Sequence, residues 1–493
     1  MMRKVLGFSI GIVIFAAMLL LPAPHGMTEE AKRTAAIALL MATFWIAEAL
    51  PIAVTSLIPI AAFPLFSILD GAQVTKNYGD QNIYLFLGGF FIALAMERWN
   101  LHRRIALNII KVMGLAERRI VLGFMCASAL ISMFISNTAT TVMMLPVAIS
   151  VVRAVQNEHD ASARSKTNSM EGFGTALMLG VAYSASIGGI GTLIGTAPNI
   201  ILAGAVRELF PGLPEITFSK WLFYGIPLVL VFIPLVWLYL TLLLFPPGKN
   251  VGMNMLVLKD EIAKLGKITK NELLVLIVFV MAVVMWVTRS DISIGSMTLK
   301  GWESILGVEK YVHDSTVSIF AAVLLFMLPA GKGEHILSWE EAKKIPWGVL
   351  LLFGGGFALA EAFQTSGLSA WIGESMACMK GLPLILIVVA VITIVIFLTE
   401  LTSNTALTVT MMPIMASLSS AIGVHPFVIM IPTAIAASCA FMLPVATPPN
   451  AIVFSSGYIT IPQMAKAGFL LNITGIVLIT LLTYFIIIPA FHI

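Results

Sequence analysis

Apolar stretches of about 20 residues follow one another along this chain, each long enough to cross a hydrocarbon core of ~30 Å as a helix. They fall at residues 5–21, 34–50, 53–68, 83–97, 173–207, 221–245, 272–288, 316–330, 347–363, 427–457 and 467–490. The runs are continuous rather than alternating with period two, so they predict an all-α polytopic membrane protein and not a membrane barrel. Two further stretches, 120–152 and 382–418, fit neither one crossing nor two. As a single helix the first would be ~50 Å long, whereas two crossings need about 40 residues. Each carries Ser-Asn-Thr near its centre, Ser136-Asn137-Thr138 and Ser403-Asn404-Thr405. Re-entrant helical hairpins over 120–152 and 382–418, with the tripeptide at each tip, resolve the difficulty.

A second polar break follows each tripeptide, Gly195-Thr196-Ala197-Pro198-Asn199 and Ala446-Thr447-Pro448-Pro449-Asn450. Proline removes a backbone donor and clashes with the preceding turn, so 173–207 and 427–457 are predicted to be broken helices with freed carbonyls. The Ser-Asn-Thr copies are offset by 267 residues, and so are Gly88-Gly89-Phe90 and Gly355-Gly356-Phe357. The Pro-Asn breaks are offset by 251, and a polar loop over 153–172 is expected to account for the difference. Two repeats separated by an odd number of crossings are inverted, the organisation of many secondary transporters. The expected organisation is N-terminal helices over 1–80, a first repeat over 81–250, a linker over 251–271 and a second repeat over 272–493.

Composition agrees. Of 493 residues, 59% are hydrophobic and only 11% charged, against about a quarter charged in soluble proteins. Eleven crossings with the N-terminus inside and the C-terminus outside give the inner side 20 of the 29 Lys and Arg residues, as the positive-inside rule requires. The net charge of +4 gives no support to a nucleic-acid partner. The first apolar run is expected to be a retained helix rather than a cleaved leader. The linker lysines Lys259, Lys264, Lys267 and Lys270 alternate with Leu and Ile, as in a short basic surface helix, although a solvated linker is the simpler reading. Cys126, Cys378 and Cys439 are expected to be small core residues, and all seven histidines are expected in loops or termini. No nucleophile–base pair, metal-ligand cluster or Walker A sequence stands out, so the chain reads as a transporter and not as an enzyme.

The tips carry the chemistry. Asn, Ser and Thr offer amide and hydroxyl donors, and the half-helix that follows presents free N–H groups, so a carboxylate can be bound without arginine. The same oxygens, with unwound carbonyls, can form the all-oxygen cage a hard cation needs. One asparagine can serve both, oxygen toward cation and NH₂ toward anion. Glu48 and Glu361 lie near helix ends, and Glu400 lies three residues before Ser403. An intramembrane carboxylate marks a functional or paired role, and Glu400 is not assigned as a ligand.

At these residues the chain resembles the divalent-anion/sodium symporter family, of the sodium–dicarboxylate cotransporter type. The matching stretches are residues 88–107, ISNTATTVMMLPVA (135–148), GGIGTLIGTAPN (188–199), residues 350–368, ELTSNTAL (400–407) and AASCAFMLPVATPPNAIVFSSG (436–457). The resemblance implies a homodimer in which a scaffold domain holds a transport domain that moves as an elevator, in a cytoplasmic (inner) membrane. It implies a first sodium site at Ser132, Ser136, Asn137 and the backbone of Gly195. A second would lie at Thr399, Thr402, Asn404 and the backbone of Ala446. Substrate carboxylates would meet Asn137, Thr138, Asn404 and Thr405, with Thr196, Thr447 and Pro448. Two or more Na⁺ ions and a C4-dicarboxylate such as succinate, malate or fumarate are the expected cargo. A sodium-independent exchanger, or a preference for citrate or sulfate, is the alternative.

Overall fold

The computed structural model describes every residue except 1, 115, 162–166, 248–262, 295, 296, 332 and 491–493. The chain is mostly helical. Its principal helices are α1 (Met2–Leu20), α2 (Glu29–Ala47), α3 (Gln81–Arg98), α4 (Leu101–Met113), α5 (Glu117–Ser132), α6 (Asn137–Ala161), α7 (Thr167–Ile190), α8 (Ala197–Leu209) and α9 (Phe218–Leu238). There follow α10 (Lys270–Val287), α11 (Asp314–Met327), α12 (Trp347–Thr365), α13 (Leu368–Met376), α14 (Leu384–Thr399), α15 (Asn404–Ile422), α16 (Phe427–Ala437), α17 (Pro448–Phe454) and α18 (Ile461–Leu482). Among the described residues seven helical stretches are long and apolar enough to cross a membrane, and five shorter apolar helices accompany them. The apolar run expected over 53–68 is two short helices, Ile52–Thr55 and Ile58–Leu65.

Local sequence sets the helix ends. Thr269 and Glu272 form a reciprocal capping box at the start of α10, as do Thr460 and Gln463 at α18. Asn100 and Gly367 both adopt the left-handed conformation, at φ 56° and 79°, and α4 and α13 begin at the next residue. These two turns are also 267 residues apart. Each then lays a short helix against a helix that follows it, α4 on α5 and α13 on α15.

Burial sorts the helices. Every residue from 172 to 190 of α7 is buried, so this helix lies in the interior. By contrast α10 leaves Leu273, Ile277, Val280 and Val284 exposed along one face, and α18 leaves Leu470, Ile473, Val477 and Leu481. Apolar stripes at helical spacing on the outer surface suit lipid. Small residues let helices touch elsewhere. A Cβ on Gly88 of α3 would lie 2.1 Å from Ser318 Oγ of α11, and one on Gly188 of α7 would lie 2.3 Å from the Ala129 carbonyl of α5.

Three expectations change. The loop expected over 153–172 is largely helical, since α6 continues through Ala161 and α7 begins at Thr167. Loss of hydropathy marks the edge of the membrane, but nothing in residues 153–161 stops a helix. His102 lies in the first turn of α4, where Nδ1 sits 2.8 Å from the Met96 carbonyl oxygen. Cys378 is exposed, because it lies in a 3₁₀ turn after α13 and not in the core. Part of the expected basic surface helix, including Lys259, lies outside the described residues. The far end of that linker is held by Arg104, which donates to the carbonyls of Leu265, Gly266 and Lys267 and pairs with Glu272 at 3.0 Å.

Candidate functional site

Both Ser-Asn-Thr tripeptides stand where a helix stops and another starts. α5 ends at Ser132 and α6 begins at Asn137; α14 ends at Thr399 and α15 begins at Asn404. The last residue of the incoming arm is a hydroxyl in each case. Ser132 Oγ donates to Asn137 Oδ1 at 2.7 Å, and Thr399 Oγ1 donates to Asn404 Oδ1 at 2.7 Å. One turn later Thr141 and Thr408 return their hydroxyls to the asparagine carbonyls, at 2.8 and 2.7 Å. The two bends are therefore the same device at an offset of 267.

The breaks after α7 and α16 are matched as well. Asn199 Nδ2 donates to the carbonyls of Gly189 and Thr192, at 3.2 and 2.8 Å. Asn450 Nδ2 donates to those of Ala440 and Leu443, at 3.2 and 3.1 Å. Each asparagine is buried and closes the unwound stretch on itself, satisfying carbonyls that no helix supplies. The opening turns of α9 and α18 cover these stretches. Gly225 and Gly468 permit that approach: a Cβ would lie 2.6 Å from the Gly191 carbonyl oxygen and 2.3 Å from that of Phe441, respectively. Trp221 Nε1 adds a hydrogen bond to the Ile190 carbonyl at 2.8 Å. Asn199, Asn450 and the two glycines were not singled out as site residues from sequence. The signal for the asparagines was the Pro-Asn dipeptide, but which carbonyls it serves depends on the fold.

Packing then joins the halves crosswise. α6, the outgoing arm of the first bend, packs on α17 beyond the second break, and α15, the outgoing arm of the second bend, packs on α8 beyond the first. The hydrogen bonds described stay within each set, so it is this packing that brings the two sets together. Three substantial helices begin here, α6, α8 and α15, with the shorter α17 beside them, and their leading N–H groups attract negative charge. No Lys, Arg or His occurs in 129–152, 187–206, 382–424 or 426–465.

Oxygens cluster at each bend. A Cβ on Gly189 would lie 2.6 Å from Asn137 Oδ1 and 3.1 Å from the Gly195 carbonyl oxygen, so both oxygens face one point. With Ser132 Oγ they supply neutral oxygen donors of the kind a hard cation prefers. At the second bend Thr399 Oγ1 lies within hydrogen-bond distance of Asn404 Oδ1 and of the Ala437 carbonyl, at 2.7 and 2.8 Å. One hydroxyl proton satisfies one of these at a time, which leaves the other oxygen free for a cation. Thr402 Oγ1 donates to the Leu398 carbonyl at 2.9 Å, and Ser136 Oγ accepts from the Ala139 amide at 3.2 Å. Thr196 and Thr447 are buried N-caps of α8 and α17; Thr447 accepts from Asn450, whereas Thr196 makes no side-chain cap bond. Gly195 and Ala446 are buried, Thr405 is half-buried, and Thr138 and Pro448 are exposed. Among the described residues no group of three His, Cys, Asp or Glu side chains is disposed to hold a metal ion.

Known proteins resemble this chain in sequence and in fold. A family model described as the sodium:sulfate symporter transmembrane region matches residues 2–489. A sodium-dependent dicarboxylate transporter, SdcS, of Staphylococcus saprophyticus is 43% identical over 490 residues, covering 99% of this chain and 92% of that protein. The SdcS of Staphylococcus aureus is 44% identical over 487 residues, covering 98% and 91%. Two solved transporters share the fold at low identity. The YdaH transporter of Alcanivorax borkumensis has a TM-score of 0.57 at 14% identity, covering 98% of this chain and 97% of its own. MtrF of Neisseria gonorrhoeae, described with a class of antimetabolite efflux pumps, has a TM-score of 0.55 at 13% identity, covering 96% and 94%. The chain is thus a multi-pass membrane protein of the sodium:sulfate symporter family, the divalent-anion/sodium symporters that its tripeptides resemble.

Proposed function

We propose that this protein is a sodium-coupled importer of C4-dicarboxylates such as succinate, malate and fumarate. The observation that carries the reading is the pair of matched asparagine bends, packed crosswise, with neutral oxygens and helix N-termini but no basic side chain. Two bends suit a dianion with a short spacer, one carboxylate at each. A dianion in a site without a fixed cation leaves charge uncompensated, so bound Na⁺ must supply the balance. Asn137 and Asn404 each offer an oxygen to the cation and an NH₂ to the substrate. An ion that fixes the asparagine thereby prepares the substrate site, which is a coupling free energy between the two. The SdcS proteins, named as sodium-dependent dicarboxylate transporters, support both cargo assignments.

The matched bonds also support two inverted repeats in which α5–α6 and α14–α15 are opposed re-entrant hairpins. In this reading the N-terminus faces the cytoplasm, the C-terminus lies outside, and the bends travel together as the moving part of an elevator within a homodimer. Radiolabelled succinate uptake into proteoliposomes tests the central claim. Uptake should require a Na⁺ gradient and be competed by malate and fumarate. Uptake that ignores Na⁺ but needs internal dicarboxylate identifies an exchanger instead. Stronger competition by sulfate or citrate than by unlabelled succinate reassigns the substrate.

A further inference from the structure

A buried acid distinguishes the second bend from the first. Glu400, only 3% exposed, caps the end of α14 and accepts four groups from around it. Its Oε1 accepts from the Phe441 amide at 2.7 Å, from Met442 at 3.0 Å and from Asn472 Nδ2 at 2.8 Å. Oε2 accepts from the Met442 and Leu443 amides at 3.0 and 3.3 Å. Three consecutive backbone donors of the unwound stretch after α16 thus converge on one carboxylate. Asn450 holds carbonyls of the same stretch, at Ala440 and Leu443. Three and four residues beyond Leu443 lie Ala446 and Thr447.

The first half has no such acid. The offset of 267 that relates the bends puts Met133 opposite Glu400. The N-caps Thr217 and Thr460 and the close-contact glycines Gly225 and Gly468 share an offset of 243, which puts Val229 opposite Asn472. There the break again donates, but Thr192 Oγ1 gives its proton to the neutral Met133 carbonyl. One break is held by neutral groups and the other by an anion.

We propose that Glu400, held by Asn472, is a positioning residue for the second cation site: its carboxylate fixes residues 441–443 so that the Ala446 carbonyl and Thr447 stand against Asn404. The two cation sites are then unequal, and Glu400 governs Na⁺ affinity at one of them without touching substrate. This rests on the sodium-coupled reading above.

The test is the Na⁺ activation curve of succinate uptake by the full-length protein in proteoliposomes, with Glu400→Gln and Asn472→Val beside the wild type. Gln replaces one acceptor oxygen with an NH₂ that faces backbone N–H groups. Glu400→Gln should raise the half-saturating Na⁺ concentration by about tenfold or more, the usual effect of removing a group that orients a metal ligand. The KM for succinate at saturating Na⁺ should stay within about twofold. A lower maximum rate with an unchanged Na⁺ curve would show mere structural support and overturn the proposal. Should Glu400→Gln fail to fold, Asn472→Val decides, because it removes the side chain that holds the carboxylate against the three backbone amides while leaving the acid itself in place. A shifted Na⁺ curve upholds the proposal, and an unshifted one sinks it. Wild-type uptake that ignores Na⁺ defeats the sodium-coupled reading itself, whereas a Na⁺-dependent wild type with unshifted variants defeats only the role of Glu400.

Discussion

Asn137 and Gly189 stand so close that any side chain on the glycine would meet the asparagine, with a Cβ only 2.6 Å from Oδ1. That Cβ would also lie 3.1 Å from the Gly195 carbonyl oxygen, which is backbone and cannot rotate aside. In a helix, alanine ordinarily stabilises relative to glycine by roughly 0.5–1 kcal/mol. Here overpacking of about 1–3 kcal/mol should outweigh that gain. Gly189→Ala is therefore expected to lower thermal stability in detergent and to raise the half-saturating Na⁺ concentration of uptake. A wild-type Na⁺ response in this variant would remove the first cation site from where we place it.

The asparagines themselves give the sharpest test. Asn137→Ala or Asn404→Ala removes both the oxygen held by Ser132 or Thr399 and the NH₂ on the same group. Each should weaken Na⁺ binding by about 10–100-fold and bring uptake to the level of empty liposomes at ordinary Na⁺. Full uptake in either variant, with purified folded protein, would refute the site.

A cluster at the start of α9 should matter for stability and pH. Arg289, 2% exposed, pairs with Asp314 at 2.7 Å, Glu303 at 3.1 Å and Glu215 at 3.1 Å. Asp314 Oδ2 also accepts from the Phe218 amide at 2.7 Å, tying the start of α9 to α11. Removing one partner of a buried ion pair costs about 3–5 kcal/mol, so Arg289→Met should lower the melting temperature sharply.

Glu215 gives the same cluster a pH signature. Burial pushes its pKa up, but the hydrogen bond from His313 and the charges of His313 and Arg289 outweigh this and hold it below the ordinary value. A carboxyl with a depressed folded pKa contributes stability above its unfolded pKa of about 4.3 and loses it as pH falls through the folded one. Melting temperatures should fall on acidification below about pH 4, and Glu215→Gln should flatten that fall.

Gly88 offers a control away from the chemistry. A Cβ there would lie 2.6 Å from the Ser318 carbonyl carbon, so α3 and α11 would have to separate. Gly88→Ala should cost about 1–3 kcal/mol of stability, read as a lower melting temperature. The protein that remains folded should keep the wild-type Na⁺ activation curve.

Much of the site could be read along the chain because helix-breaking is local. Pro198 and Pro448 occupy the first turn of α8 and α17, a position proline favours, and an uncharged polar triplet inside a long apolar run must be satisfied somewhere. Ser132 and Thr399, five residues before their asparagines, came from the family resemblance, and the fold supplied their bonds to those asparagines. The extent of α6 was not, because hydropathy reports membrane depth while helix continuation depends on propensity.

Amino-acid order alone establishes that two polar bends and two proline breaks recur at set offsets within an apolar chain, and that no Lys, Arg or His lies in the same stretches. What each buried polar group meets follows from how the helices pack in three dimensions. Glu400 finds amides forty residues away and an amide side chain on α18; Arg289 gathers acids from positions 215, 303 and 314; α6 crosses to α17 and α15 to α8. Periodicity and turn chemistry act over a few residues, but a buried charge or carbonyl takes whatever partner the packing of distant helices supplies.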